Sequence, residues 1–277
     1  MLWLGFIRVS EWNVDDVEYL DLLSIVDPIE EKQRIQKYKF RIDSKRSLAG
    51  HLIIRQKIKS EYGGNFKLCR TKENKPFCKF KQPIEGVCDF NISHAGDVVI
   101  VALLKSSLSS PKVVGVDIEH LILRGNTSLG EFLNDMLPSF DPEEQKCILQ
   151  PYRDAHPKAL VTQLTLTASD EVVQNVKIRF FIHWTLKESF IKAIGKGVYF
   201  PLEQAVFKFD SNEENILNCR PQLYVENKHM LNWEFKSCLL DNEHIISVAV
   251  GPANDENVSE SLINCLCGSI AESPNSH

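Results

Sequence analysis

No apolar run in this 277-residue chain is long enough to span a bilayer. The opening MLWLGFIRVSEW lacks the basic start, long apolar segment and small-residue cleavage site of a secretory signal, and reads as a first strand. The eight cysteines form no CxxC pair, and a chain of this length buries a core without disulfide staples. They read as reduced thiols of an intracellular protein, with Cys265 and Cys267 as two exposed thiols in the tail. The expectation is a cytoplasmic protein with no membrane contact, in which the sequons at Asn91 and Asn126 carry no meaning. A net charge of -5 removes a nucleic-acid partner on charge grounds, so an anionic ligand needs a local basic site. Walker-type loops, HExxH and GxSxG are absent, which removes support from those nucleotide and hydrolase classes.

What is present is an ordinary globular balance, 43% hydrophobic and 25% charged. Residues 2 to 9 suggest a strand. Asp27-Pro28 opens a helix through EEKQRIQKYKF, and Leu48, Leu52, Ile53 and Ile58 recur at near-helical spacing between Ile42 and Tyr62 until Gly63-Gly64 stops them. NFKLCRTKENKPFCKF reads as a hairpin around a basic turn, and FNISHAGDVVIVALL as strand, turn, strand. The polar break SSLSSP separates two lobes, 1–108 and 109–251. KVVGVDIEHL opens the second lobe as a strand, 129–149 reads as helical, and 150–178 holds a strand or a mobile loop. A helix spans about 181 to 195, ended by Gly195 and Gly197, and four strand-like segments follow it. Residues 252–277 are rich in Asn, Ser and Glu and read as a disordered tail.

Four segments carry chemistry. In Gly115-Val116-Asp117-Ile118-Glu119 strand alternation sends both acids to one face. Two such carboxylates are stable together in water or around a cation, and all-oxygen ligation suits Mg²⁺. In HWTLKESFIKAIGKG, Glu188 and Lys192 are four apart and share a face with Trp184. That spacing is usually a solvated ion pair, but the apolar neighbours cover this helix, and a covered carboxylate needs a cation or a donor. Asn91-Ile92-Ser93-His94 enters a turn able to offer side chains and N–H groups to phosphate. The basic turn from Arg70 to Pro76 includes Lys75, and Arg34 lies on the first helix. Singly, each has an ordinary structural or solvated reading. Together they describe a site for a polyanion and a divalent metal.

GVDIEH followed by WTLKESFIKAIGKG, with NISH and RTKENKP ahead of them in order, resembles the paired signature of the Sfp-type 4'-phosphopantetheinyl transferases over roughly residues 1 to 250, and within that family the animal cytosolic members. The resemblance implies an α+β fold of two similar lobes related by pseudo-twofold symmetry, a monomer, and a holo-[acyl-carrier-protein] synthase reaction. In it, coenzyme A gives its 4'-phosphopantetheine arm to a carrier-protein serine, as in fatty-acid synthase, and leaves adenosine 3',5'-bisphosphate. It implies Asp117, Glu119 and Glu188 as Mg²⁺ ligands, Glu188 as acceptor of the serine proton, Lys192 and His94 at the diphosphate, and Ser93 and Asn91 shaping that pocket. Arg34, Arg70 and Lys75 meet the 3'-phosphate end. Lys187 either touches phosphate or pairs with a carboxylate.

Two departures stand out against the family pattern. The stretch 150–178 reads as an insertion near where family members meet the carrier, and Ala95 after His94 offers the metal no ligand. The alternatives are a non-catalytic coenzyme A or carrier binder and a Mg²⁺-dependent pyrophosphate hydrolase.

Overall fold

The structure is a computed structural model that describes residues 1–123, 125, 127–209, 216–258 and 260. The chain opens with β1 (Leu2–Arg8), α1 (Asp16–Ser24), α2 (Ile29–Gln36) and the long α3 (Arg41–Tyr62). The hairpin β2 (Phe66–Arg70) and β3 (Pro76–Phe80) follows, then β4 (Val87–Ala95), β5 (Val98–Ser106) and β6 (Lys112–His120). Next come α4 (Leu129–Met136), α5 (Pro142–Ala155), a single-turn α6 (Leu164–Thr167) and α7 (Asp170–Ile194). β7 (Ala205–Lys208), β8 (Gln222–Val225), β9 (Lys228–His229), β10 (Glu234–Leu239) and β11 (His244–Pro252) complete the described chain. The architecture is α+β. Among the described residues no helix is long and apolar enough to cross a membrane.

Among the described residues two of the three three-stranded antiparallel sheets build the main layers, in the orders β1-β5-β4 and β10-β11-β6, beside the smaller β7-β8-β9. Strand alternation decides what each covers. Val98, Ile100, Ala102 and Leu104 of β5 pack on Val114, Val116 and Ile118 of β6 and Ile246 and Val248 of β11, joining the sheets face to face. Val101 and Leu103, on the other face of β5, pack on Ile54 and Ile58 of α3. The opposite face of β6 and β11 meets α7 through Val113, Ile245 and Ala249. The order of layers is therefore α3, sheet, sheet, α7.

Helix α7 is the spine of the larger core. Ser169 caps its N-terminus by accepting from Val172 N–H, and Gly195 ends it in the left-handed region at φ 70°. Phe180, Leu186, Phe190 and Ile194 are almost wholly buried. Each such side chain contributes about 1.5–3 kcal/mol of burial. Phe190 also meets Trp233 edge-on at 4.8 Å. The helix lies so close to β6 that only glycine fits beneath it. A Cβ on Gly115 would sit 1.9 Å from the carbonyl oxygen of Ser189 and 2.5 Å from the amide nitrogen of Ala193.

The seam between the two sheets is polar. Asp89, Asn91 and Ser93 alternate along β4 and face β6. The Val114 N–H donates to Asp89 at 2.8 Å, the Val116 N–H donates to Asn91 Oδ1 at 3.1 Å, and Ser93 Oγ donates to Asp117 at 2.9 Å. β4 side chains thus serve the unpaired edge of β6 in place of a neighbouring strand. Lys75 closes the seam, its ammonium donating to Asp89 and to the Ala193 carbonyl, both at 2.8 Å.

Several expectations change. Helix α1 has no counterpart in the sequence reading; at nine residues it is a short window, and Tyr19 and Leu23 are buried only by packing on α2 and α3. Residues 150–178 hold neither strand nor long loop: α5 runs to Ala155 and α7 starts at Asp170. The Thr and Val content of that stretch suggested β structure, but the packing of Val176 and Phe180 in the main core overrides that propensity. Residues 129–149 are helical as expected, in two capped helices, and the second opens at Asp141-Pro142. The beginning of the expected tail is ordered, with Ala253 and Val258 buried and the Trp233 indole N–H donating to Asp255 at 3.0 Å. Most of the remaining tail, with Cys265 and Cys267, lies outside the described residues, as does Asn126.

Gly115→Ala is expected to cost about 3 kcal/mol or more, since the clash is with helix backbone that cannot rotate away. At about 2–4 °C per kcal/mol, its melting temperature should fall at least about 6 °C. Gly50→Ala, whose Cβ would meet only side chains, Ile92 at 2.9 Å and Val99 at 3.3 Å, should fall less. Calorimetry of both variants checks the ranking.

Candidate active site

The carboxylates converge where α7 crosses β6. Ser93, Asp117, Glu119, Trp184, Glu188 and Lys192 line one open recess of about 350 Å³. Asp117 and Glu119 share the helix-facing side of β6, and Trp184, Glu188 and Lys192 share one side of α7 at four-residue spacing. Lys192 donates to Asp117 at 2.5 Å and to Ser93 Oγ at 2.8 Å, while the Trp184 indole N–H donates to Glu119 at 3.2 Å. The second oxygen of Asp117 is buried and has no hydrogen-bond partner.

The electrostatics of the recess are frustrated. Burial, then the charge of Asp117, pushes Glu119 up to about 7, and Glu188 is raised by the same two causes. One ammonium faces three acids. The donor set is all oxygen, and the unpartnered Asp117 oxygen lies within it. Such a set fits a divalent cation that prefers oxygen ligands.

A cleft of about 300 Å³ adjoins the recess, and Lys192 and His94 belong to both. Arg34 and Arg70 line it and converge on Glu31, whose carboxylate accepts from Arg34 Nη2 at 3.0 Å and from both Arg70 Nε and Nη2. Burial opposes ionisation of Glu31, but the two guanidiniums outweigh it and hold its pKa below the usual carboxylate range. His94 stands at the mouth, where partial burial, then the charges of Arg46 and Lys192, lower its pKa.

Of the expected residues, Asp117, Glu119, Glu188, Lys192, His94 and Ser93 come together in the recess. Arg34, Arg70 and Asn91 line the adjoining cleft. Lys75 needs correction. The residue borders the cleft, but its ammonium is turned into the core against Asp89, with the side chain 2% exposed, so it offers no charge to a 3'-phosphate. The cause is the seam, where buried Asp89 requires a cation. Lys187 settles on a carboxylate: it pairs with Glu144 at 2.7 Å with both side chains fully buried, and it donates to the Leu202 and Ala205 carbonyls. The sequence reading missed Arg46, Ser47 and His51, which line the cleft from α3. Their signal was present. Arg46 with Gly50 and Ser47 with His51 are pairs four apart, which puts a polar flank beside a glycine on one side of the helix.

A family model described as "4'-phosphopantetheinyl transferase, N-terminal" matches residues 10–106. The model of the 4'-phosphopantetheinyl transferase superfamily matches residues 113–249. The L-aminoadipate-semialdehyde dehydrogenase-phosphopantetheinyl transferase of Xenopus laevis is 32% identical over 253 residues, which span 88% of this chain and 74% of that protein. The chain belongs to the 4'-phosphopantetheinyl transferase superfamily. A phosphopantetheinyl transferase of Thraustochytrium is also 32% identical, over 249 residues, 88% of this chain and 76% of its own. The bacterial 4'-phosphopantetheinyl transferase gsp of Aneurinibacillus migulanus is 29% identical over 231 residues, 82% of this chain and 77% of its own.

The raised acids make the metal-free transferase pH-sensitive. A carboxyl whose folded pKa lies above its unfolded value near 4.5 is bound to its proton more tightly in the fold. Stability therefore falls as pH rises from about 4.5 through about 7. In EDTA, Glu119→Gln should melt about 2–4 °C above the parent at pH 8, the shift expected of ~1 kcal/mol, with the gap closing near pH 4.5. An equal melting temperature for both proteins at pH 8 would remove Glu119 from the repulsive cluster.

Proposed function

We propose that the cleft and the carboxylate recess together hold coenzyme A, and that this transferase moves its 4'-phosphopantetheine arm to a serine of an acyl or peptidyl carrier domain. The adenosine 3'-phosphate end lies toward Arg34 and Arg70, and the diphosphate toward Lys192 and His94. Asp117, Glu119 and Glu188 are the residues that would hold Mg²⁺, which supplies charge stabilisation to the departing bisphosphate. The carrier serine oxygen forms a bond to the pantetheine-side phosphorus, the bond from that phosphorus to the bridging oxygen breaks, and adenosine 3',5'-bisphosphate leaves. Glu188 takes the serine proton, a role favoured by burial that raises its basicity. Lys192 keeps its ammonium beside the phosphates and is held there by Ser93 and Asp117. Trp184 fixes Glu119 through its indole N–H.

Domain limits follow the same reading. The unit built on α3 and the sheet β1-β5-β4 forms one lobe, 1–108, and the unit built on α7 and the sheet β10-β11-β6 forms the other, 109–251, in a monomeric cytoplasmic enzyme whose carriers include a fatty-acid synthase. The helical stretch 150–178 is proposed as an insertion near the carrier.

The observation that carries this reading is the convergence of Asp117, Glu119, Glu188 and Lys192 in one recess beside an arginine-lined cleft. The test is mass spectrometry of apo-carrier domains incubated with the protein, coenzyme A and Mg²⁺. A gain of one phosphopantetheine arm is expected, and no gain on several unrelated carriers would sink the proposal. Glu188→Gln should lower turnover by about 10²–10⁴-fold with the circular dichroism spectrum unchanged. Arg70→Ala should raise the KM for coenzyme A about tenfold, as ~1.4 kcal/mol of lost charge-assisted bonding predicts. For 3'-dephospho-coenzyme A the KM should stay close to that of the parent. Equal effects on both would remove Arg70 from the 3'-phosphate.

A further inference from the structure

A second group of ligand-type side chains lies at the same end of β6 on its opposite face and takes no part in the transfer chemistry. His120, Glu243 and His244 each offer a donor atom, and these atoms lie within 4.8 Å of one another. His120 ends β6 and His244 begins β11, and the two are register partners directly across the antiparallel ladder. Their ring centroids are 4.6 Å apart. Glu243 brings its carboxylate to 3.6 Å from His120 Nε2. His120 follows Glu119 immediately, but alternation turns it to the opposite face of the strand.

The decisive atom is His244 Nε2. The residue is 1% exposed, and Nε2 is buried with no hydrogen-bond partner. The other ring nitrogen is committed, because Nδ1 lies 3.1 Å from both oxygens of Asp241. Asp241 already accepts from Arg8 and from the N–H groups of Glu243 and His244, so it also accepts from His244 Nδ1–H. That tautomer leaves Nε2 with a free lone pair. The lone pair faces the space beside Gly96, where an added Cβ would stand 2.8 Å from His244 Nε2 and 3.6 Å from His120 Cδ2. Both imidazoles therefore border one gap that glycine leaves open. A buried acceptor without a partner is costly, and a fold keeps one where something else satisfies it.

We propose that His120, His244 and Glu243 form a site for a transition-metal dication of the Zn²⁺ class, separate from the carboxylate recess. Two imidazoles and one carboxylate are a nitrogen-rich set that suits Zn²⁺ and disfavours Mg²⁺. Asp241 orients His244 as the outer carboxylate of a carboxylate–histidine–metal relay. Tetrahedral ligation at roughly 2.0–2.2 Å needs donors roughly 3.3–3.6 Å apart, which the His120–Glu243 pair already meets. Side-chain exposures of 28% for His120 and 60% for Glu243 leave a path for the ion and for a water as fourth ligand. The bound ion clamps β6 to β11 one residue beyond Glu119, beside the β4–β5 turn at Gly96.

The test uses the full chain, stripped with EDTA and titrated with Zn²⁺ against a chromophoric chelator in excess Mg²⁺. One ion per chain is expected, with a rise in melting temperature on loading. His120→Ala and His244→Ala should each weaken binding by 100-fold or more, and Asp241→Asn by about 10–100-fold. His120→Ala keeps the readout available if the buried His244 variant fails to fold. Glu188→Gln should leave Zn²⁺ affinity unchanged. Absence of stoichiometric binding overturns the proposal. So does binding that survives the His120 substitution or disappears with Glu188→Gln, since the ion would then occupy the carboxylate recess.

Discussion

Everything in the site rests on one close approach, α7 lying directly on β6 over Gly115. Without a side chain at that position, helix and strand backbones come within contact distance, and the acids of both elements point into one recess. The glycine makes no hydrogen bond to a ligand and carries no charge. Its contribution is geometric, and it sets the spacing on which the electrostatics depend.

The second constraint is how buried charge is handled. Lys75–Asp89 and Lys187–Glu144 are buried pairs whose remaining donors and acceptors are met largely by backbone groups. Such pairs are costly to break and add little net stability, so their value is positional. The first pins the hairpin turn and β4 to β6 and α7, and the second pins α5 and β7 to α7. The recess is the opposite case. Three acids share one ammonium there, an Asp117 oxygen has no partner, and two carboxyls are pushed up. The fold pairs its structural ions one to one and leaves this group with more acids than cations, which is the arrangement a ligand completes.

Polar seams also explain how two separate sheets hold a common site. β4 and β6 are edges of different sheets, yet alternate residues of β4 serve the β6 backbone. Ser93 is the last of these and already belongs to the recess, bonded to Asp117 and Lys192. Structure and site are continuous along one strand face. One residue past Glu119 the same alternation turns His120 away from the recess and toward His244.

The sequence by itself determined the local chemistry. Period-two alternation placed Asp117 and Glu119 on one face, four-residue spacing aligned Trp184, Glu188 and Lys192, and the ordered motifs carried the family. These are short-range facts, set by backbone geometry within a few residues. Tertiary structure alone decided which charges serve the fold and which face a ligand. Lys75 sits in a basic turn and Asn91 in a polar motif, and nothing local reveals that β6 lies across from them and claims both. Lys187 and Lys192 are five apart on one helix, and only the elements packed against each side bury one against Glu144 and leave the other in the recess. The long start of α7 was hidden for the same reason, since β-branched residues at 170–178 read as strand until the core they fill is assembled. Burial depends on partners distant in the chain, and a sequence pattern carries no record of which partner arrives.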